Sequence, residues 1–209
     1  MSNTNNNIKE IQLPNSNRPW AVAEWNGRRW VLTNKRNAEK YTIVNANRKN
    51  GKHQLKIRPE YAFHTYSKMW PGAFRRSNSR SITSLKNALI NHLRTAPSKR
   101  FYAPLYRGVP PKYVNRLLTE GYIRNNSFIS FSKNRKEASK FGGVRSGLLK
   151  LTANKNDPLI VRAIVNKNNG FVSNIPNEME VLLGPGTLKL VAVNNANKTY
   201  WVRYVPSYM

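Results

Sequence analysis

Two of the nine acidic residues in this chain stand two positions apart, Glu178 and Glu180, at the head of the apolar run Val181-Leu182-Leu183. In an extended strand, positions i and i+2 share a face, so the two carboxylates can serve one site. Such groups act as general bases and stabilise developing positive charge. Arg107 and Gly108 follow Leu105-Tyr106, and Ser130 and Ser132 fall in Phe128-Ile129-Ser130-Phe131-Ser132. Arginine presents a planar fork of donors suited to a pyrophosphate, and a serine hydroxyl both donates and accepts. Cysteine is absent, and the three histidines, His53, His64 and His92, lack metal-ligand spacing. Disulfides and thiolate chemistry are excluded, and no metal cofactor is expected. Carboxylates, hydroxyls, arginines and aromatics are left to do the work.

The elements that must position these groups are legible in outline. Ser84 is placed to cap a helix in which Leu85, Ala88, Leu89 and Leu93 recur at helical spacing, and Pro97 stops it. A strand over Ala103–Tyr106 precedes a helix over Lys112–Thr119, which Gly121 closes. Phe128–Ser132 reads as a strand and Arg135–Phe141 as a helix, with Gly142-Gly143 after it. Strands then crowd the end of the chain: Leu148–Thr152, Leu159–Val165, Glu180–Leu183, Thr187–Val193 and Tyr200–Val205. Few helices followed by many short strands predicts an α+β fold with a mainly antiparallel sheet. Residues 1–17, rich in Asn and Ser, read as a disordered polar N-terminus. Residues 18–79 read as a basic, aromatic-rich region or small β-rich module, and 80–209 as the catalytic domain. The aromatics of the middle segment suit either base stacking or a core, with core favoured.

Charge is extreme. Lys and Arg number 36 against 9 Asp and Glu, a formal net charge of +27. Residues 1–101 hold 20 basic and 4 acidic side chains and the remainder 16 and 5, so both halves are basic. Such a field draws polyanions by counterion release. Residues 1–80 are therefore expected to add affinity for nucleic acid or acidic partners without supplying catalytic groups. A solvated basic surface without a dedicated partner is the plainer alternative. No run of about 18 apolar residues occurs, and Met1–Asn7 is polar, so neither a membrane span nor a secretory signal is expected. The expected setting is the cytoplasm or delivery to a host cell, and heavy use of Asn and Lys suits an AT-rich phage or large DNA virus.

Singly, an Arg-Gly after a strand, a Ser-x-Ser and a Glu-x-Glu are commonplace surface features. In this order and spacing they resemble the arginine, serine and glutamate motifs of the mono-ADP-ribosyltransferase family typified by bacterial toxins. The most specific segment is Glu178-Met179-Glu180-Val181-Leu182-Leu183-Gly184-Pro185-Gly186-Thr187. The resemblance covers about residues 80–209 and implies a split antiparallel sheet with flanking helices and NAD⁺ as co-substrate. Arg107 would meet the pyrophosphate, and the Gly108 backbone the nicotinamide carboxamide. Ser130 and Ser132 would support the ribose side, while Phe141 would stack on nicotinamide and Arg145 add a phosphate contact. Glu180 would hydrogen-bond the ribose beside the breaking bond, whose oxocarbenium character a carboxylate stabilises. Glu178 would prepare the acceptor, and glutamate here accompanies arginine acceptors on proteins, with hydrolysis of NAD⁺ as a side activity. Two departures stand out: Phe131 replaces a small hydroxyl residue, and Ile175 holds a position that often carries an acceptor-recognising aromatic, for which Phe171 would have to substitute. The alternatives are ADP-ribosylation of a guanine-type base in nucleic acid, where glutamine is usual at the Glu178 position, and a nucleic-acid-binding or packaging protein with an inactive transferase fold.

Overall fold

The computed structural model describes residues 8–11, 21–45, 47–48, 53–69, 74, 77–142, 147–153, 158–166 and 179–208. Three small sheets and one large one form. The first pairs β1 (Ile8–Ile11), β2 (Ala21–Trp25) and β3 (Trp30–Leu32). A short α1 (Lys35–Lys40), capped by the Asn34 side chain, leads into the hairpin β4 (Tyr41–Val44) and β5 (Gln54–Ile57). Here alternation buries Ile11, Ala21, Ala23, Trp30, Leu32 and Leu55 in a core of their own, so Trp30 is spent on packing.

Two longer helices follow, α2 (Pro59–Lys68) and α3 (Arg80–Thr95). Ser79, not Ser84, caps α3, accepting from the Ile82 amide at 3.4 Å. The periodic leucines begin only at Leu85, but Ile82 already faces inward, and the helix starts a turn earlier to bury it. Farther on, α4 (Pro111–Glu120) ends at Gly121, whose φ of 73° is the left-handed turn that favours glycine.

The large sheet runs β12 (Ile164–Val165), β13 (Glu180–Leu183), β9 (Ile129–Ser132), β7 (Leu105–Val109), β10 (Gly147–Leu151), β15 (Thr199–Pro206), β14 (Gly186–Asn194) and β8 (Tyr122–Asn125). All its pairings are antiparallel except β10 with β15. Between β7 and β9 the ladder is reduced to one residue pair, Tyr106 with Ser132. At that seam the sheet divides into two halves, and a mixed α+β fold with a mostly antiparallel sheet is what the strand pattern predicted. The run expected as one strand, Leu159–Val165, breaks in two: β11 (Leu159–Val161) pairs with β6 (Lys99–Phe101), and β12 joins the large sheet.

Both halves turn one face into a common core that includes Leu105, Leu149, Val202, Phe131, Val181 and Leu183. A second core lies under α2 and α3, where Phe63, Tyr66, Leu89 and Leu93 meet Phe128, Ile164 and Leu182. Thus β13 is buried on both faces. It also follows that α2, before the boundary expected near residue 80, shares a core with the sheet that carries Glu180. Deleting a buried Phe or Tyr ring costs about 3 to 5 kcal/mol, and whole domains are stable by only about 5 to 15. A chain starting at Ser81 loses Ala62, Phe63, Tyr66 and Phe74 together. It is expected to lack the cooperative thermal transition of the full chain in circular dichroism; a sharp transition from that fragment would show that the second core is dispensable.

Candidate active site

Strand alternation first sorts the candidate groups. In β9, Ile129 and Phe131 are buried in the common core, and this leaves Ser130 and Ser132 on the opposite face. Phe131 therefore occupies its place in the serine motif as a core residue, 2% exposed. Antiparallel pairing sets Glu180 across from Ser132, and Leu182 across from Ser130. Glu180 thus opens a strand that is otherwise apolar and is itself only 4% exposed.

A carboxylate taken out of water is costly unless hydrogen-bonded. The Ser130 hydroxyl donates to Glu180 Oε1 at 2.6 Å. Ser130 is tied on its other side as well, because Arg107 Nη1 donates to its carbonyl oxygen at 2.7 Å across the seam. One serine thereby links the guanidinium of β7 to the carboxylate of β13, groups 73 positions apart in the chain. The Glu180 backbone is held too: its carbonyl accepts from the Asn166 amide at 2.9 Å. Immediately before it, Met179 adopts φ 44°, an uncommon left-handed conformation for a residue with a side chain.

The other candidates are placed as follows. Ser132, 4% exposed, accepts from the Asn134 amide at 2.9 Å, and Asn134 in turn caps α5 (Arg135–Lys140). Phe141 ends α5 with its ring 58% exposed, at the surface. Glu178, Arg145, Phe171 and Ile175 lie outside the described residues.

Gly108 owes its identity to packing. A Cβ there would stand 2.3 Å from the Ala138 carbonyl oxygen and 2.8 Å from the Gly142 nitrogen, so α5 approaches β7 backbone to backbone. Backbone cannot move aside as a side-chain tip can. Gly108→Ala is expected to destabilise the fold by about 1 to 3 kcal/mol, in the range of core overpacking, seen as a lower melting temperature. An unchanged transition would mean that α5 shifts freely.

Residues that the sequence did not single out secure the far end of β13. A Cβ on Gly184 would lie 2.3 Å from the Tyr208 ring, and one on Gly186 would lie 2.4 Å from that of Tyr204. The Tyr204 hydroxyl donates to the carbonyls of Gly184 and Pro185 at 3.0 and 3.2 Å. Burial, followed by the neighbouring Tyr208, pushes the Tyr204 phenol far above its ordinary range; burial also raises that of Tyr208. Both stay protonated donors at any working pH. Arg94 of α3 donates to the Tyr208 carbonyl at 2.9 Å and locks the C-terminal segment in place. The Gly-Pro-Gly portion of the glutamate motif is thus a seat for two tyrosines, and a Tyr-x-x-x-Tyr ending was the available hint.

No family model matches this chain, and no curated protein matches it in sequence. Solved structures do. Exoenzyme S from Pseudomonas aeruginosa superposes with a TM-score of 0.53 at 13% identity, over 69% of this chain and 72% of that one. Vis toxin, an ADP-ribosyltransferase from Vibrio splendidus, gives 0.47 at 15% identity over 71% and 73%. A eukaryotic mono-ADP-ribosyltransferase, ART2.2, in complex with NAD, gives 0.49 at 16% identity over 71% and 66%. The fold is the one seen in ADP-ribosyltransferases.

Proposed function

We propose that the chain cleaves NAD⁺ at the bond between nicotinamide and ribose and transfers the ADP-ribose to arginine on a protein. The observation that carries this reading is the Arg107–Ser130–Glu180 chain of hydrogen bonds at the seam of the split sheet. As the C–N bond breaks, its electron pair leaves with neutral nicotinamide and positive charge grows on the ribose. A buried carboxylate beside that charge stabilises it more in the transition state than in the ground state. The pyrophosphate needs a cation with fixed direction, and the bond to Ser130 fixes the plane of the Arg107 guanidinium. Phe141, with its ring exposed, is available to the nicotinamide.

Transfer requires an acceptor nitrogen to donate its lone pair to the ribose carbon and to lose a proton. A guanidinium is protonated and a poor nucleophile, so a base two residues from Glu180 suits the step, and Glu178 is that residue. Water competes as acceptor, which gives NAD⁺ hydrolysis as the side reaction. The test is incubation with NAD⁺ labelled in its adenylate phosphate, alongside arginine-rich protein, arginine-free protein and nucleic acid. Label retained only on the arginine-rich protein supports the reading; label on nucleic acid alone transfers the assignment to a base acceptor.

A further inference from the structure

One half of the large sheet has a second face that the NAD⁺ reading does not use. Residues of β7, β10, β15, β14 and β8 whose side chains enter the common core alternate with ones that point the other way. On that outer face the register aligns Tyr106, Lys150 and Trp201 in one row and Arg203, Lys189 and Tyr122 in the next. Trp201 and Arg203 are i and i+2 on β15, so the two rows are adjacent. Tyr106, Lys150 and Trp201 are half-buried, with the Lys150 ammonium 5.3 Å from the Trp201 ring centre; the second row is exposed. None of the five strands carries an acidic residue. Beside this face, a cavity of about 600 Å³ opens between α5, the start of β10 and the β14–β15 turn. Arg135, Lys136 and Lys198 line it, again without an acidic side chain.

We infer that this face binds single-stranded nucleic acid, with bases on the three rings and phosphates on the lysines and arginines between them. Charge alone would suit any polyanion, but aromatic rings in register with cations on an open sheet suit unstacked bases, whose faces a duplex hides. The strand would pass close to the active site, because α5 contributes Arg135 and Lys136 to the cavity and its Ala138 carbonyl to the packing on Gly108. The inference stands apart from the NAD⁺ reading, since its test measures binding alone.

The test is fluorescence anisotropy of the full chain with labelled 20-nucleotide oligo(dT) and oligo(U), a 20-base-pair duplex, and polyglutamate. Both single strands are expected to bind more tightly than the duplex or polyglutamate. Trp201→Ala is expected to weaken single-strand binding about 5- to 100-fold, the effect of losing one stacked base, and to leave duplex binding nearly unchanged. Lys189→Ala with Arg203→Ala, at exposed positions where folding is safe, is expected to lower the slope of log affinity against log salt by about one. Single-strand affinity unchanged by Trp201→Ala in a protein with the parent melting curve, or by the double variant, overturns the assignment. So does equal or tighter binding of polyglutamate, which would mark the face as a site for an acidic protein.

Discussion

Glu180→Gln is expected to lower NAD⁺ cleavage by about two to four orders of magnitude, the range for removing a principal electrostatic stabiliser. Glutamine keeps the volume and still accepts from the Ser130 hydroxyl, so the 2.6 Å contact and the β13–β9 register survive. What is lost is the negative charge opposite the developing oxocarbenium. The variant should therefore melt as the parent does and bind NAD⁺ with similar affinity, while nicotinamide release collapses. Turnover at the parent rate would remove Glu180 from the chemistry, and a large fall in melting temperature would make it structural.

Glu178→Ala should separate two activities that Glu180→Gln abolishes together. Water needs little help in trapping an oxocarbenium-like ribose, whereas an arginine must be positioned and relieved of its proton. Hydrolysis of NAD⁺ is expected to remain within a few-fold of the parent, and labelling of arginine-containing protein to fall by about 10²- to 10⁴-fold, the contribution of a general base. Nicotinamide release and acceptor labelling, measured in parallel on the same variant, decide the matter. Loss of both would assign Glu178 to the NAD⁺ site or the fold; labelling that persists would end its role as acceptor base.

The site was legible in the sequence to the extent that residue type and spacing carry it. Arg107, Ser130 and Glu180 do meet, because each sits on a strand whose alternating neighbours leave no doubt about its face. Spacing could not show that Ser130 would be the link, with its hydroxyl on the carboxylate and its carbonyl on the guanidinium, since that depends on how β7 crosses the seam. Gly108 and Gly186 were read from their motifs, yet the atoms that demand glycine come from α5 and Tyr204, which only the fold brings near. The strands of the C-terminal half were found to within a residue or two by alternation. What escaped was tertiary: α2 carries its apolar residues at helical spacing like any amphipathic helix, and nothing in Phe63 or Tyr66 says which sheet they cover. Likewise, the outer-face rows appear only when five strands separated in the chain are set in register.

The central claim is that the full chain breaks the bond between nicotinamide and ribose at Glu180. Nicotinamide released from NAD⁺ by the purified parent, followed by chromatography beside Glu180→Gln under the same conditions, tests it most directly. The account predicts steady release by the parent and little above background from the variant. Release by neither protein, with both folded and with protein and nucleic-acid acceptors supplied, would contradict it.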